Sequence, residues 1–192
     1  HPLYTILVPE RVDGFINTFL AHHKAQGYLP IWTAWGQENH CMIGNHSIPV
    51  IVDAYNKGFK GFSYDEAMKA MVETSTENHL NSDWDMYNKY GYYPFDFLDN
   101  ESVSRTLESG FDDYAIANMA KKMGRDSIAK TFRKRSKYYE NLLDSETGLM
   151  RGKDTKGNFR NPFKPLEATS PMNNPGDYTE ANAWQYTWTP SH

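Results

Sequence analysis

Residues 103–117 read VSRTLESGFDDYAIA and carry the clearest structural signal in the sequence. Val103, Leu107 and Phe111 recur at the spacing of one helix face, and Gly124 then offers the conformation that commonly ends a helix. No stretch shows the series of alternating apolar and polar residues that several strands would require. The pattern therefore predicts a mainly α fold built from helices of this kind.

Further helices are predicted on both sides of this segment from capping and stop signals. Ser63 and Glu66 have the spacing of a capping box, in which each side chain bonds the backbone of the other residue. The predicted helices begin at Pro9, Pro49, Ser63 and Asp126, and the last one continues to Leu143. Residues 27–47, 83–100 and 152–177 are predicted as long loops, which are usually either functional or disordered.

The composition excludes several classes of protein. The chain has 192 residues, with 20 basic against 24 acidic side chains and a net charge of −4. This balance argues against electrostatic binding of nucleic acid, and the apolar runs are far shorter than the ~20 residues of a membrane-spanning helix. Cys41 is the only cysteine, so no intramolecular disulfide can form. We expect one domain, or part of a larger one.

Aromatic residues are the one compositional excess. Five Trp, 13 Tyr and 10 Phe make up 15% of the chain. Such residues often fill a hydrophobic core, but their flat faces also stack on the apolar C–H faces of sugar rings. Composition leaves both interpretations open.

The loop at 27–47 combines indole, carboxylate, imidazole and thiol groups among glycines. One interpretation is a ligand pocket with polar groups set among aromatic side chains. The other is a tightly packed loop whose Glu and His side chains bond its own backbone. The residue types leave these two interpretations open.

Metal binding and thiol catalysis are weaker hypotheses for the same loop. His40, Cys41 and His46 offer zinc ligands, with Asp53 further along, but the spacing matches no usual zinc motif. Cys41 and His46 also offer a nucleophile and a base. A lone cysteine among apolar neighbours is more often a buried, inert residue.

A second candidate site is the segment DYTEANAWQYTW at residues 177–188, in which Glu180 precedes two tryptophans. A carboxyl group beside indole rings loses hydration, which favours its protonated form and suits it to general acid catalysis. A compatible interpretation is a helix start, with Thr179 as N-cap and Glu180 favoured by the helix dipole.

These segments together resemble glycoside hydrolase family 92, the calcium-dependent exo-α-mannosidases. The resemblance runs nearly from end to end and rests on many uncommon residues in a fixed order. The matching segments are GYLPIW at 27–32, GQE at 36–38, CMIGNH at 41–46, ESVSRTLE at 101–108, DSETGLMR at 144–151 and YTEANAWQYTW at 178–188. One departure is Ala181, a position at which the family usually has Gly.

The resemblance implies a six-hairpin (α/α)6 toroid as the catalytic domain. Residues 1–192 are then expected to be a single fragment of this toroid. An N-terminal β-sandwich and the C-terminal remainder of the toroid are expected outside this chain. We expect the fragment alone to be inactive, because the base carboxylates of the family belong to a later segment.

The resemblance also implies hydrolysis of terminal α-linked mannose, often α-1,2, from glycans with inversion of configuration. Glu180 corresponds to the general acid of the family, and the base is expected on a segment downstream of this chain. The candidate substrate-binding residues are Trp32, Glu38, His46, Asp53 and Gln185.

The implied cofactor is Ca²⁺, with ligands mostly outside this chain, so no metal ligand is assigned. The expected partners are a mannose-containing glycan and the remainder of the same polypeptide, with no nucleic acid and no membrane span. A periplasmic or extracellular, bacterial location is implied. The alternative function is a non-catalytic mannose- or glycan-binding helical module that retains an aromatic pocket without turnover.

Overall fold

The structure, a computed structural model, describes residues 1–80, 82–190 and 192 and is mainly helical. The helices are α1 (Tyr4–Leu7), α2 (Val12–Gln26), α3 (Ser47–Asn56), α4 (Tyr64–Thr74), α5 (Trp84–Tyr90), α6 (Ser102–Lys122), α7 (Asp126–Arg135) and α8 (Ala183–Tyr186). Short 3₁₀ helices cover Pro9–Arg11 and Tyr138–Leu142. The strands are β1 (Thr33–Ala34), β2 (Gln37–Glu38), β3 (Leu143–Asp144) and β4 (Leu149–Met150). Antiparallel hairpins join β1 to β2 and β3 to β4.

The chain divides into two compact units. The first contains residues 1–84 and 112–133, and the second contains residues 85–111 and 134–192. Each unit has its own hydrophobic core. Among the described helices, none combines the length and the apolar character needed to cross a membrane.

The core of the first unit forms where α2 packs against α3 and α4. Ile16, Ile51 and Met68 are fully buried there. Removing each such side chain from water contributes roughly 1.5–3 kcal/mol. This packing fixes both ends of the loop between α2 and α3, which contains the first candidate site.

The core of the second unit surrounds the N-terminal part of α6, where Val103 and Leu107 are fully buried. Tyr178 packs against them, and its hydroxyl donates a hydrogen bond to the carbonyl of Met150 at 2.7 Å. Burial raises the pKa of Tyr178, so this hydroxyl keeps its proton and remains a donor. The segment that precedes Glu180 is therefore anchored in the core.

Several of the predicted helix signals are confirmed. α2 ends at Gly27, which has a φ of 91°. Ser63 is the N-cap of α4, and its hydroxyl accepts the N–H of Glu66 at 3.2 Å. The Glu66 carboxylate instead bonds Lys24 at 3.2 Å, so the predicted capping box is only half formed.

Other predicted boundaries are wrong for reasons of tertiary packing. The predicted loop at 83–100 contains α5, because Tyr87 is buried between the rings of Tyr93 and Tyr138, each 5.1 Å away. The last predicted helix ends at Arg135 instead of Leu143. The chain turns there with the carbonyl of Ser136 against α6, at a site where Gly110 leaves room for it.

Two glycines of α2 give a matched pair of stability predictions. A Cβ at Gly14, inside the helix, would meet no atom within 4 Å, whereas Gly27 has the left-handed φ of 91°. Gly14→Ala should stabilise by about 0.5–1 kcal/mol, because alanine loses less backbone entropy in a helix. Gly27→Ala should destabilise by about 1–2 kcal/mol, because a Cβ resists the left-handed region. Calorimetry should show Tm shifts of opposite sign, and shifts of the same sign would contradict this account.

Candidate active site

Glu180 lies on the loop that leads into α8 and has a φ of 51°. A residue with a Cβ atom in this left-handed region costs about 1–2 kcal/mol, so the conformation persists only where its surroundings fix it. The Glu180 side chain is exposed. The expected loss of hydration beside indole rings is therefore wrong for the chain as described, and the role of Glu180 as an acid stays a prediction.

The residue before Glu180 is held by all three of its polar groups. The N–H of Thr179 donates to Oγ of Ser104 at 2.8 Å, and its hydroxyl donates to Oε1 of Glu101 at 2.8 Å. Its carbonyl accepts the hydroxyl of Tyr186 at 3.2 Å. Burial raises the pKa of Tyr186, which keeps that hydroxyl a donor. Thr179 itself is buried, so these bonds are shielded from water.

The residues after Glu180 are fixed in a different way. Ala181 pairs with Thr169 in an antiparallel bridge, with N–H to carbonyl distances of 2.8 and 3.3 Å. Asn182 is the N-cap of α8, and it exchanges hydrogen bonds of 3.0 and 3.1 Å with Gln185 in a full capping box. The expectation that Thr179 caps this helix is therefore wrong, because its hydroxyl bonds Glu101 instead. Gln185, a candidate binding residue, uses its side-chain oxygen to cap α8.

An ion pair of the buried Asp177 with the partly exposed Arg160 holds the start of the same loop. Both carboxylate oxygens of Asp177 accept from the guanidinium of Arg160, at 2.6 and 2.8 Å, and Ser102 donates a further hydrogen bond at 2.8 Å. Gly152 makes this arrangement possible, because a Cβ there would lie 2.4 Å from Oδ2 of Asp177. Asp177 therefore serves to hold the loop and is not available to a substrate.

Tryptophan side chains are unusually exposed. Four of the five are at least half exposed, namely Trp32 at 50%, Trp35 at 93%, Trp184 at 55% and Trp188 at 71%, while Trp84 is buried. In the second unit, the rings of Trp184 and Trp188 meet edge to face with centroids 6.3 Å apart. Of the two interpretations of the aromatic excess, the tyrosines mainly favour core packing and the tryptophans favour exposed stacking surfaces.

In the first unit, Glu38 organises the loop that contains Trp32. Its buried carboxylate accepts the backbone N–H groups of Ile31 at 2.6 Å, Trp32 at 3.0 Å, Asn39 at 3.1 Å and His40 at 3.0 Å. Burial alone would raise the pKa of Glu38, but the N–H donors outweigh it and hold the pKa below its ordinary value. The structure thus favours the packed-loop interpretation for Glu38.

The hairpin of β1 and β2 presents Trp35 at its tip. Trp35 and Gly36 have φ values of 53° and 79°, the signs required by a type I′ turn between two strands. Asn or Asp is usual at the first of these positions, so a tryptophan here was not predicted. The geometry directs an indole ring into solvent from a short, fixed hairpin.

The other candidates in this unit have protein partners. His46 is half exposed, and its Nδ1 lies 3.6 Å from a carboxylate oxygen of the buried Asp112. Asp53 pairs with Lys57 at 2.8 Å and lies 3.5 Å from His1. Their proposed contacts with a substrate stay predictions.

A metal site is not assembled by the residues that the structure describes. Within them, no three His, Cys, Asp or Glu side chains converge in a way that would hold a metal ion. Calcium prefers six to eight oxygen ligands, often with several carboxylates, and no three Asp or Glu side chains among these residues converge. The described residues therefore do not by themselves fit the implied Ca²⁺.

Comparison with known proteins gives concordant results. Residues 1–192 match the family described as Glycosyl hydrolase family 92 catalytic domain. A solved family GH92 α-mannosidase from Bacteroides thetaiotaomicron, in complex with mannoimidazole, is 40% identical with a TM-score of 0.92. A family GH92 inverting mannosidase from the same organism is 32% identical with a TM-score of 0.90. Each match covers 99% of this chain and about a quarter of the other, 25% and 26% respectively.

The sequence of this chain is also similar to that of a fungal glycosidase. An uncharacterized secreted glycosidase of Arthroderma benhamiae is 27% identical over 150 residues, which are 69% of this chain and 19% of the relative. The chain thus spans about a quarter or less of the length of these relatives. The similarities and the helical architecture together confirm the predicted fold class, mainly α and part of an (α/α)6 toroid.

The role of Glu38 predicts the effect of Glu38→Gln on the loop. An amide group presents two N–H donors in place of one carboxylate oxygen, so it opposes the surrounding backbone N–H groups. We expect a local loss of about 2 kcal/mol, seen as roughly 30-fold faster hydrogen exchange of the amides at 31–40. Glu77→Gln, at an exposed glutamate of the same unit, should change exchange there little. Equal exchange in the two variants would contradict the assigned role.

The lowered pKa of Glu38 also predicts a pH dependence. A carboxylate whose folded pKa lies below its unfolded value stabilises fully above the unfolded value, about 4.3, and loses this effect as the pH falls through the folded pKa. The difference in exchange between the wild type and Glu38→Gln should therefore be constant near neutral pH and should shrink in acid. A difference that grows on acidification would show that the carboxylate is not the stabilising form.

Proposed function

Because this chain belongs to glycosyl hydrolase family 92, within the catalytic domain, we propose that the complete polypeptide removes terminal α-linked mannose from glycans. The proposed linkage is α-1,2 and the proposed outcome is inversion. Similarity to an inverting mannosidase and to an α-mannosidase in complex with mannoimidazole supports both the substrate class and the outcome.

The observation that carries the proposal is the conformation of Glu180. Its side chain is exposed, its backbone has a φ of 51°, and the residues on either side are fixed by hydrogen bonds. A carboxyl group that a substrate can reach, on a backbone held in a costly conformation, is typical of a functional residue. Glu180 is therefore proposed as the general acid.

The proposed reaction is a single displacement at the anomeric carbon of mannose. The carboxyl group of Glu180 donates its proton to the glycosidic oxygen as the bond to the leaving sugar breaks. A second carboxylate, proposed on a segment downstream of this chain, removes a proton from the attacking water. In inverting enzymes the two carboxyl groups lie about 6.5–9.5 Å apart, which leaves space for that water.

The exposed tryptophans have the shape and chemistry to bind the sugar. Their faces can stack on the C–H faces of pyranose rings, an interaction that needs a flat and accessible aromatic surface. In the second unit, Trp184 and Trp188 lie within the same segment as Glu180. In the first unit, Trp32 has its backbone fixed by Glu38. Each unit thus presents its own proposed stacking surface for a sugar ring.

The proposed cofactor is Ca²⁺, with its ligands mostly outside this chain. When bound, calcium would supply a Lewis acid that holds sugar hydroxyl groups. The proposed location is periplasmic or extracellular and bacterial, and the description of the Arthroderma benhamiae relative as secreted supports export.

The first test is Glu180→Gln in the complete polypeptide. Loss of the acid should lower kcat on α-1,2-mannobiose at least about 100-fold, the usual share of general acid catalysis. A mannoside with a dinitrophenol leaving group needs little protonation, so its kcat should fall much less. Steady-state kinetics with the two substrates measure this difference.

A matched control is Glu167→Gln, because Glu167 is an exposed glutamate of the same unit that pairs with Lys164 at 2.9 Å. It should leave both rates near those of the wild type. Near-normal turnover of mannobiose by Glu180→Gln would reject the proposed acid. Binding of mannose without hydrolysis by the wild-type polypeptide would favour the alternative, a non-catalytic glycan-binding module.

A further inference from the structure

In the second unit, a hydrogen bond links Glu101, which has a strained backbone, to the residue before Glu180. Glu101 and Glu180 both have left-handed backbones, with φ values of 63° and 51°. Thr179, the residue before Glu180, donates its hydroxyl proton to Oε1 of Glu101 at 2.8 Å. Left-handed residues with a Cβ persist only where the surroundings fix them, and here one of them bonds the residue beside the other, which points to a shared role.

Glu101 is itself held firmly. Its N–H donates to the carbonyl of Gly176 at 2.6 Å, and its second carboxylate oxygen accepts from the guanidinium of Arg105 at 2.9 Å. The side chain is buried, with the residue 5% exposed. It therefore offers Thr179 a fixed, charged acceptor, and a hydrogen bond to a charged acceptor is stronger than one between neutral groups.

The Glu101 carboxylate is not itself a candidate acid. Both of its oxygens already have protein partners, Thr179 on one and Arg105 on the other. The left-handed φ places Glu101 just before α6, where its carbonyl accepts the N–H of Arg105 at 2.9 Å. The side chain is thus directed at the residue next to Glu180.

We infer that Glu101 is a positioning residue, which sets the direction of the Glu180 carboxyl group through the hydroxyl of Thr179. The inference rests on the proposed function of Glu180. Loss of the Glu101–Thr179 hydrogen bond should let the backbone at Glu180 relax and move the carboxyl group away from the glycosidic oxygen. A displacement on the order of 1 Å can cost up to about 100-fold in rate.

The test uses Thr179→Val in the complete polypeptide, because valine keeps the shape of threonine and removes the hydroxyl. The kcat on α-1,2-mannobiose should fall about 10-fold, while kcat on a dinitrophenyl α-mannoside should change less than about 2-fold. Thr179→Ser restores the hydroxyl and should keep the ratio of the two rates within about 2-fold of wild type. KM for each substrate should change little, since the substrate-binding surfaces are untouched.

A control for purely structural damage is Thr106→Val. Thr106 is also fully buried in this unit, where its hydroxyl donates to the carbonyl of Ser102 at 2.8 Å and accepts the N–H of Tyr93 at 2.9 Å. It makes no bond to the loop at 177–182 in the described network, so any loss of kcat should be the same for both substrates. If Thr179→Val behaves like Thr106→Val, with both rates lowered equally, the positioning role is overturned.

A double-mutant cycle assigns the effect to Glu101. Glu101→Gln keeps an acceptor oxygen for Thr179 and should retain much of the mannobiose rate. Glu101→Leu should raise the ratio of kcat on the dinitrophenyl α-mannoside to kcat on mannobiose, as Thr179→Val does. Because both changes remove the same hydrogen bond, the double variant should show no further increase in this ratio. Additive effects would overturn the inference. If Glu101→Leu does not fold, the result for Thr179→Val alone tests the inference.

The positioning role and the proposed acid can fail separately. If mannobiose turnover falls more than dinitrophenyl mannoside turnover in Glu180→Gln but not in Thr179→Val, only the positioning role is refuted. If Glu180→Gln shows no such difference between the two substrates, the proposed acid itself is refuted.

Discussion

Glu180 has a φ of 51°, a region that residues with a Cβ avoid because Cβ then approaches the following carbonyl oxygen. Hydrogen bonds on both sides of Glu180 hold the backbone in this conformation. Thr179 is bonded to Glu101, to Ser104 of α6 and to Tyr186, and Ala181 pairs with Thr169. Each bond limits one direction in which the loop could relax. The conformation of one residue thus explains why buried polar groups gather around the start of α6.

Three buried carboxylates of this chain hold loops, whereas the carboxylate proposed for chemistry is exposed. Glu38 accepts backbone N–H groups, Asp177 pairs with Arg160, and Glu101 bonds Thr179 and an arginine. A buried charge is costly unless it is paired and hydrogen-bonded, so each of these groups needs all of its partners. Glu180 is exposed and can meet a substrate without losing such partners.

Sequence patterns predicted the features that depend on neighbouring residues. Gly27 ends α2 and Ser63 caps α4 because both signals act within one turn of a helix. The helix α5 was missed because burial of Tyr87 among other aromatic rings decides it. The family resemblance predicts Glu180 as the acid, but the residue before it is bonded to Glu101, which is far away in sequence. No local pattern reports a hydrogen bond of that kind.

Ala181 replaces the glycine that is usual in the family, and the backbone shows whether a glycine is required there. Glycine is needed where φ is positive, and alanine at such a position would strain the loop. Here the left-handed residue is Glu180 itself, while Ala181 pairs with Thr169 in an extended bridge that suits any L residue. The extra methyl group therefore does not oppose the conformation of the loop. Alanine at this position is therefore compatible with the proposed position of the acid. The strained backbone is that of Glu180, and the hydrogen bonds of Thr179 offset its cost.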